Sequence, residues 1–143
     1  MPKTYTIDEL HALWDAANEK ESKPRKRAEQ HEHDLQVACL KWLRLAYPKV
    51  LCYAIPNGGQ RTARAGKQLK EEGLTAGIPD LHIPIPRGGY ASLYIEMKDA
   101  NKGRLSDNQK DMIPRLQAYG NKVVVCRTIE DFIREVTMYL RTS

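Results

Sequence analysis

The segment Ser92-Leu93-Tyr94-Ile95-Glu96-Met97-Lys98 constrains the fold more than any other stretch of the chain. Leu93, Ile95 and Met97 alternate with Tyr94, Glu96 and Lys98, so a β-strand here has one apolar face and one face carrying a carboxylate and an ammonium two residues apart. Charged groups on a packed sheet are costly unless they are paired or coordinate something. The surrounding sequence supplies the partners for such a sheet. Asp80 to Ile85 reads as a preceding strand, turned by Arg87-Gly88-Gly89. Val50 to Ile55 reads as a buried strand closed by Pro56-Asn57-Gly58-Gly59, and Val123 to Cys126 as a short buried strand. From Glu29, a stripe of Leu35, Cys39, Trp42, Leu43 and Ala46 predicts a helix stopping before Pro48. Residues 61–70 predict a helix with Thr62, Ala65 and Leu69 on one side. Ser106-Asp107-Asn108-Gln109 caps a helix running to Gly120, with Met112, Ile113 and Leu116 inward and a kink or early end at Pro114. Ile129, Phe132, Ile133, Val136 and Leu140 predict a last amphipathic helix. The order specifies an α/β class: a small mixed β-sheet flanked by helices.

Ahead of this body, Thr6-Ile7-Asp8-Glu9 has capping-box spacing, and Leu10, Leu13, Trp14 and Ala17 recur at helical intervals. Residues 1–28 therefore read as an N-terminal amphipathic helix and a basic linker, docked on the main domain or on a second copy, and residues 29–143 as that domain. The 143-residue length suits this division. No apolar run reaches the roughly 20 residues that span a bilayer, and the first residues lack a secretory signature. The three cysteines, Cys39, Cys52 and Cys126, have no CxxC spacing and fall on predicted buried positions. A reduced, cytoplasmic protein without a membrane partner is expected.

Lys and Arg outnumber Asp and Glu by 23 to 18, and the excess is clustered. Lys23, Arg25, Lys26 and Arg27 form one group. Arg61, Arg64, Lys67 and Lys70 form another, which takes the outer face of the predicted helix 61–70. Plain surface charge accounts for either cluster taken alone; together they suit a phosphate backbone.

Chemistry concentrates at Pro79-Asp80, fifteen residues and then Glu96-Met97-Lys98. Glu96 and Lys98 share a strand face, and hairpin pairing brings Asp80 towards Glu96. Two carboxylates beside one ammonium suit a hard divalent cation, which prefers oxygen ligands, polarises a phosphoryl oxygen and acidifies a bound water. The lysine then orients that water or steadies developing charge. The plain alternative is a surface salt bridge of slight energy.

Glu32-His33-Asp34-Leu35-Gln36, Pro56-Asn57-Gly58-Gly59-Gln60-Arg61, Gly73 to Gly77, Ile78-Pro79-Asp80-Leu81, Leu93 to Lys98 and Leu105-Ser106-x-x-Gln109 occur in that order. Over residues 29–140 this pattern resembles the VRR-NUC domain of the PD-(D/E)xK nuclease superfamily. The resemblance implies a restriction-endonuclease-like core and hydrolysis of DNA phosphodiesters dependent on Mg²⁺ or Mn²⁺. Small members resemble homodimeric enzymes that act on branched DNA such as Holliday junctions. By the same resemblance Asp80, Glu96 and the Met97 backbone carbonyl hold the metal, and Lys98 is the catalytic lysine. Glu32 completes the site, directly or through water. Gln36 lies one helical turn on, on the same face. Gln109 matches the glutamine that follows the ExK strand, although Ser-x-x-Gln is equally a capping box. Asn57 and its glycines bring backbone close to metal or phosphates, although an Asn-Gly turn needs no function. Met97 departs from the family's usual aliphatic residue between Glu and Lys.

Rival motifs fail on geometry. His31 and His33 point apart on a helix, and Gly59 to Lys67 lacks phosphate-loop spacing. His82 shares the strand face of Asp80 and is read as a hydrogen-bonded structural histidine. Two other functions stand beside the structure-selective endonuclease: a DNA-binding module with a vestigial site, and a restriction-type or host-DNA-degrading nuclease. The intact Asp, Glu and Lys set speaks against the first, and the lack of a separate specificity domain against the second.

Overall fold

Thr6 opens α1 (Ile7–Ala17) by the expected reciprocal cap: its Oγ1 accepts from Glu9 N at 3.2 Å, and its own N donates to Glu9 Oε2 at 2.7 Å. The computed structural model describes residues 4–17, 27–56, 63–101 and 103–143. The basic run from Lys23 lies outside them except for the backbone of Arg27, as do Asn57 and Arg61. The remaining elements are α2 (Arg27–Ala46), β1 (Tyr53–Ala54), α3 (Ala63–Glu71), β2 (Leu81–Ile83), β3 (Leu93–Met97), α4 (Asp107–Ala118), β4 (Lys122–Cys126) and α5 (Ile129–Arg141).

The strands form one sheet in the order β1-β2-β3-β4. β1 and β2 pair antiparallel, as do β2 and β3, while β3 and β4 run parallel. The predicted mixed sheet is thus present. Leu81, Ile83, Leu93, Ile95 and Met97 are all buried on one face. Every residue of the predicted α2 stripe joins them, together with Ile129, Phe132, Val136 and Tyr139 of α5. Trp42 meets Phe132 edge-on at 6.0 Å, a favoured arrangement of aromatic quadrupoles.

Within the chain, α1 packs on α2 and α5. Leu10 is buried in the common core, and His11 bonds Glu130 at the start of α5. Leu10 thus has a place within the chain, whereas Leu13 is exposed and the side chains of Trp14 and Ala17 lie outside the described residues.

Four expectations need correction. Val50 to Ile55 is not a buried strand: only Tyr53 and Ala54 pair, and both are exposed, because β1 has a neighbour on one side alone. Likewise β4, at the opposite edge, is half-buried except for Cys126. Its companion cysteine Cys39 is also in the core, but Cys52, beside β1, is only half-buried. Lastly, α4 does not end early at Pro114 but continues to Ala118. At the end of α5, Tyr139 takes the deep position, and its hydroxyl donates to the Ile85 carbonyl at 2.5 Å, leaving Leu140 partly buried. Among the described residues no helix is long and apolar enough to cross a membrane.

Candidate active site

Strand alternation puts Glu96 and Lys98 on the sheet face away from the α2–α5 core, and the register Leu81↔Ile95 carries Asp80 alongside Glu96. Continued by two residues, the same register sets Pro79 opposite Met97. Proline has no N–H, so it cannot donate to the Met97 carbonyl. That carbonyl therefore has no ladder donor at position 79, and the Met97 N–H donates to Asp80 Oδ2 at 2.8 Å. The Pro-Asp pair therefore ends the hairpin ladder and clamps Asp80 to the β3 backbone.

Glu96 is the most confined charged group on this face, 2% exposed. Its Oε1 accepts from Gln109 Nε2 at 2.7 Å and faces Lys98 Nζ at 3.4 Å. Its Oε2 is buried without a hydrogen-bond partner. Burial, and then the charge of Asp80, push the Glu96 carboxyl up to about 8, with Lys98 offsetting part of the rise. A buried acceptor left unsatisfied costs about 1–3 kcal/mol, and two ionised carboxylates cannot bond each other. A proton or a cation relieves both penalties.

Gln109 forms the capping box and also reaches the candidate site. Ser106 Oγ accepts from Gln109 N, and Gln109 Oε1 accepts from Ser106 N at 2.9 Å, a complete capping box. The amide's other end, Nε2, reaches Glu96. Gly77 makes this approach possible. Its φ is +89°, and a Cβ there would stand 2.4 Å from the Asn108 carbonyl oxygen. Only glycine lets the segment before Asp80 lie against the first turn of α4.

Glu32 reaches the site's border. Its Oε1 accepts from Asp99 N at 3.2 Å, tying α2 to the turn after β3. Asp99 also accepts from Asn101 N at 2.7 Å and lies 3.9 Å from His31. Arg127 Nη1 donates to the Asp99 carbonyl at 3.1 Å and to that of Gly103. A Cβ on Gly103 would press within 3.0 Å of Lys98 Cβ and within 2.7 Å of Asp99 N. Asp99, Gly103 and Arg127 thus fix the turn that carries Lys98. Sequence reasoning missed them, since no local period marks a side chain that bonds a distant carbonyl.

Gln36 is half-buried one turn beyond Glu32 and takes part in none of the bonds described above. Arg64, Lys67 and Lys70 are exposed on α3, while Ala65 and Leu69 turn partly inward, as predicted. His82 is the hydrogen-bonded histidine expected, its Nδ1 lying 2.5 Å from the Tyr53 hydroxyl. Among the described residues no three His, Cys, Asp or Glu side chains converge into a metal cage. The carboxylate set brought together is the pair Asp80 and Glu96. That pair fits a cation that binds through one or two carboxylates and otherwise keeps water or phosphate oxygens, and the partnerless Glu96 Oε2 gives it a position.

The sequence pattern of the VRR-NUC domain matches residues 30–129. A solved structure described as a VRR_NUC domain protein is similar in fold, with a TM-score of 0.55 at 24% identity over 97% of this chain and 91% of that one. A search of curated proteins finds no match.

Proposed function

The chain belongs to the VRR-NUC domain family, and on that premise we propose that this nuclease-type domain is a Mg²⁺- or Mn²⁺-dependent endonuclease that hydrolyses phosphodiester bonds in branched DNA. The observation that carries the reading is the buried, partnerless Glu96 Oε2 beside Asp80, with the Lys98 ammonium 3.4 Å from the other oxygen. Asp80, Glu96 and the Met97 carbonyl would hold the cation, and Glu32, seated on the Asp99 backbone, completes the set through water. When bound, the cation supplies Lewis-acid polarisation of a phosphoryl oxygen and acidifies water.

The rest is work for the chain's own groups. Lys98 donates to the attacking water or to a phosphate oxygen and stabilises the negative charge that develops there. Gln109 holds Glu96 in one rotamer, and the Met97 N–H does the same for Asp80. Cleavage of linear, flap and four-way DNA, with and without divalent cation, tests the proposal. Cation-dependent cutting that favours the four-way substrate is expected. Tight binding with no cutting would make the domain a binding module, and sequence-restricted cutting of linear duplex would make it a restriction-type enzyme.

The basic groups supply affinity without sequence readout. Replacing Arg61, Arg64, Lys67 and Lys70 together by Ala is expected to weaken DNA binding and flatten its dependence on salt. The log–log slope should fall by about 0.9 for each phosphate that is no longer neutralised. A slope equal to the parent's would remove α3 from the interface. Symmetric cutting of a junction calls for two sites related by a two-fold axis, so a homodimer is part of the proposal. With Leu10 already buried in its own chain, that dimer needs a surface that does not include Leu10. Light scattering of the protein at micromolar concentration, alone and with DNA, should give twice the chain mass, and a monomer in both would refute it.

A further inference from the structure

Beside the carboxylates, on the same sheet face, the register Tyr53↔His82↔Tyr94 lines three aromatic rings across β1, β2 and β3. His82 stacks on Tyr94 with centroids 4.3 Å apart and planes 27° from parallel. Tyr53 meets His82 edge-on at 5.3 Å, and its hydroxyl is engaged by His82 Nδ1. Asp80 precedes His82 by two residues and Glu96 follows Tyr94 by two, so the row lies one same-face step, about 7 Å, from the carboxylate pair.

The row is built rather than incidental. Two buried side-chain polar atoms lack partners among the described residues, Glu96 Oε2 and His82 Nε2, and both are on this face. The unbonded nitrogen costs about 1–3 kcal/mol, a cost that an apolar residue in place of His82 would not carry. What the imidazole does in return is fix Tyr53. The three rings thus pack as one continuous row. Its outer member, Tyr53, is 42% exposed on the edge strand. With the hydroxyl occupied, what Tyr53 offers a ligand is a rigid π surface.

Phosphate belongs to Lys98 and the carboxylate-bound cation; a flat, uncharged, aromatic partner belongs to the row. We propose that Tyr53, braced by His82 and Tyr94, stacks an unpaired DNA base next to the scissile phosphate. The inference rests on the nuclease reading of Asp80 and Glu96 and gives it a substrate class. A base inside a duplex has both faces covered by its neighbours, so only DNA with a base freed near the cut, at a branch, gap or end, can use Tyr53. Stacking of this kind is tolerant of sequence and is worth about 1–3 kcal/mol per base, or roughly five- to 150-fold in affinity.

The test uses the full chain in EDTA with DNA carrying 2-aminopurine, either unpaired at a branch point or paired in a duplex. Binding should quench the unpaired probe. Tyr53→Ala and Tyr53→Leu should lose the quenching and roughly five- to 150-fold in affinity for the unpaired substrate. Their affinity for the duplex should stay within about twofold of the parent, which also reports an intact fold. Tyr53→Phe, which keeps the ring, should still quench. Equal losses on both substrates, no loss on either, or failure of Tyr53→Phe alongside Tyr53→Ala would overturn the proposal. Cleavage with Mg²⁺ or Mn²⁺ is read separately. A parent that quenches the probe without cutting DNA would refute the nuclease reading and support the stacking site.

Discussion

Glu96→Gln is expected to abolish cleavage and to make the metal-free protein more stable at pH 8 than its parent. Loss of outer-shell partners alone costs metal sites about 10–100-fold, so loss of a ligand oxygen should cost at least about a hundredfold in rate. The stability gain follows from the carboxyl's position. Glu96 has its folded pKa pushed up to about 8, first by burial and then by Asp80, against about 4.3 for an unfolded chain. Between those values the native state binds more protons than the unfolded state, so stability falls as pH rises through the window. The parent bears this cost in full near pH 8; the glutamine variant has no such proton to lose. At about 1.4 kcal/mol per pKa unit, and allowing for the lost attraction of Lys98, the gain should be on the order of 2–4 kcal/mol at pH 8 and small below pH 5. The new carboxamide can still accept from Gln109 and offers Asp80 an N–H in place of a like charge. Mg²⁺ should raise the parent's Tm by linkage and the variant's much less. A variant that still cuts DNA, or that gains the parent's full thermal shift from Mg²⁺, would remove Glu96 from the metal site.

The sequence showed faces better than it showed edges. The α2 stripe from Leu35 to Ala46 and the alternation of Leu93, Ile95 and Met97 are periodic, and every residue they assign to the core is buried. Periodicity says which way a side chain points but not whether its strand has a neighbour. For that reason Val50 to Ile55, apolar enough for a central strand, contributes two exposed edge residues. The candidate site divides along the same line. Asp80, Glu96 and Lys98 were legible because one hairpin joins them. Gln109 was legible twice, and its context could not show that a single amide serves a cap with one end and a carboxylate with the other. The Tyr53-His82-Tyr94 row depends on the register of three strands, one of which is two residues long. The Arg127 bonds to Asp99 and Gly103 link positions 24 or more residues apart. Neither leaves a local trace.

Lys98→Met should match Glu96→Gln in lost activity and oppose it in stability. Lys98 Nζ is nearly enclosed, its side chain 12% exposed, and lies 3.4 Å from Glu96 Oε1. Removal of a preorganised donor aimed at developing charge costs about 10²–10³ in kcat. Because Lys98 is not a ligand in this scheme, the Mg²⁺-induced rise in Tm should persist, which separates the two variants. The ammonium is also the group that lowers the Glu96 pKa, so without it that pKa moves above about 8. At pH 6 Glu96 is protonated in both proteins and their stabilities should be close, with methionine filling the space of the lysine stem. Above pH 8 the parent's decline from this group levels off. The variant's decline continues until its own higher pKa is passed, at about 1.4 kcal/mol for each further unit. Denaturant unfolding at pH 6, 8 and 9.5 should therefore show the gap opening only on the alkaline side. In the Glu96→Gln background that pH-dependent gap should close, since the coupling needs both charges. A gap independent of pH, or one that survives in the double variant, would show that Lys98 stabilises the fold through a partner other than Glu96.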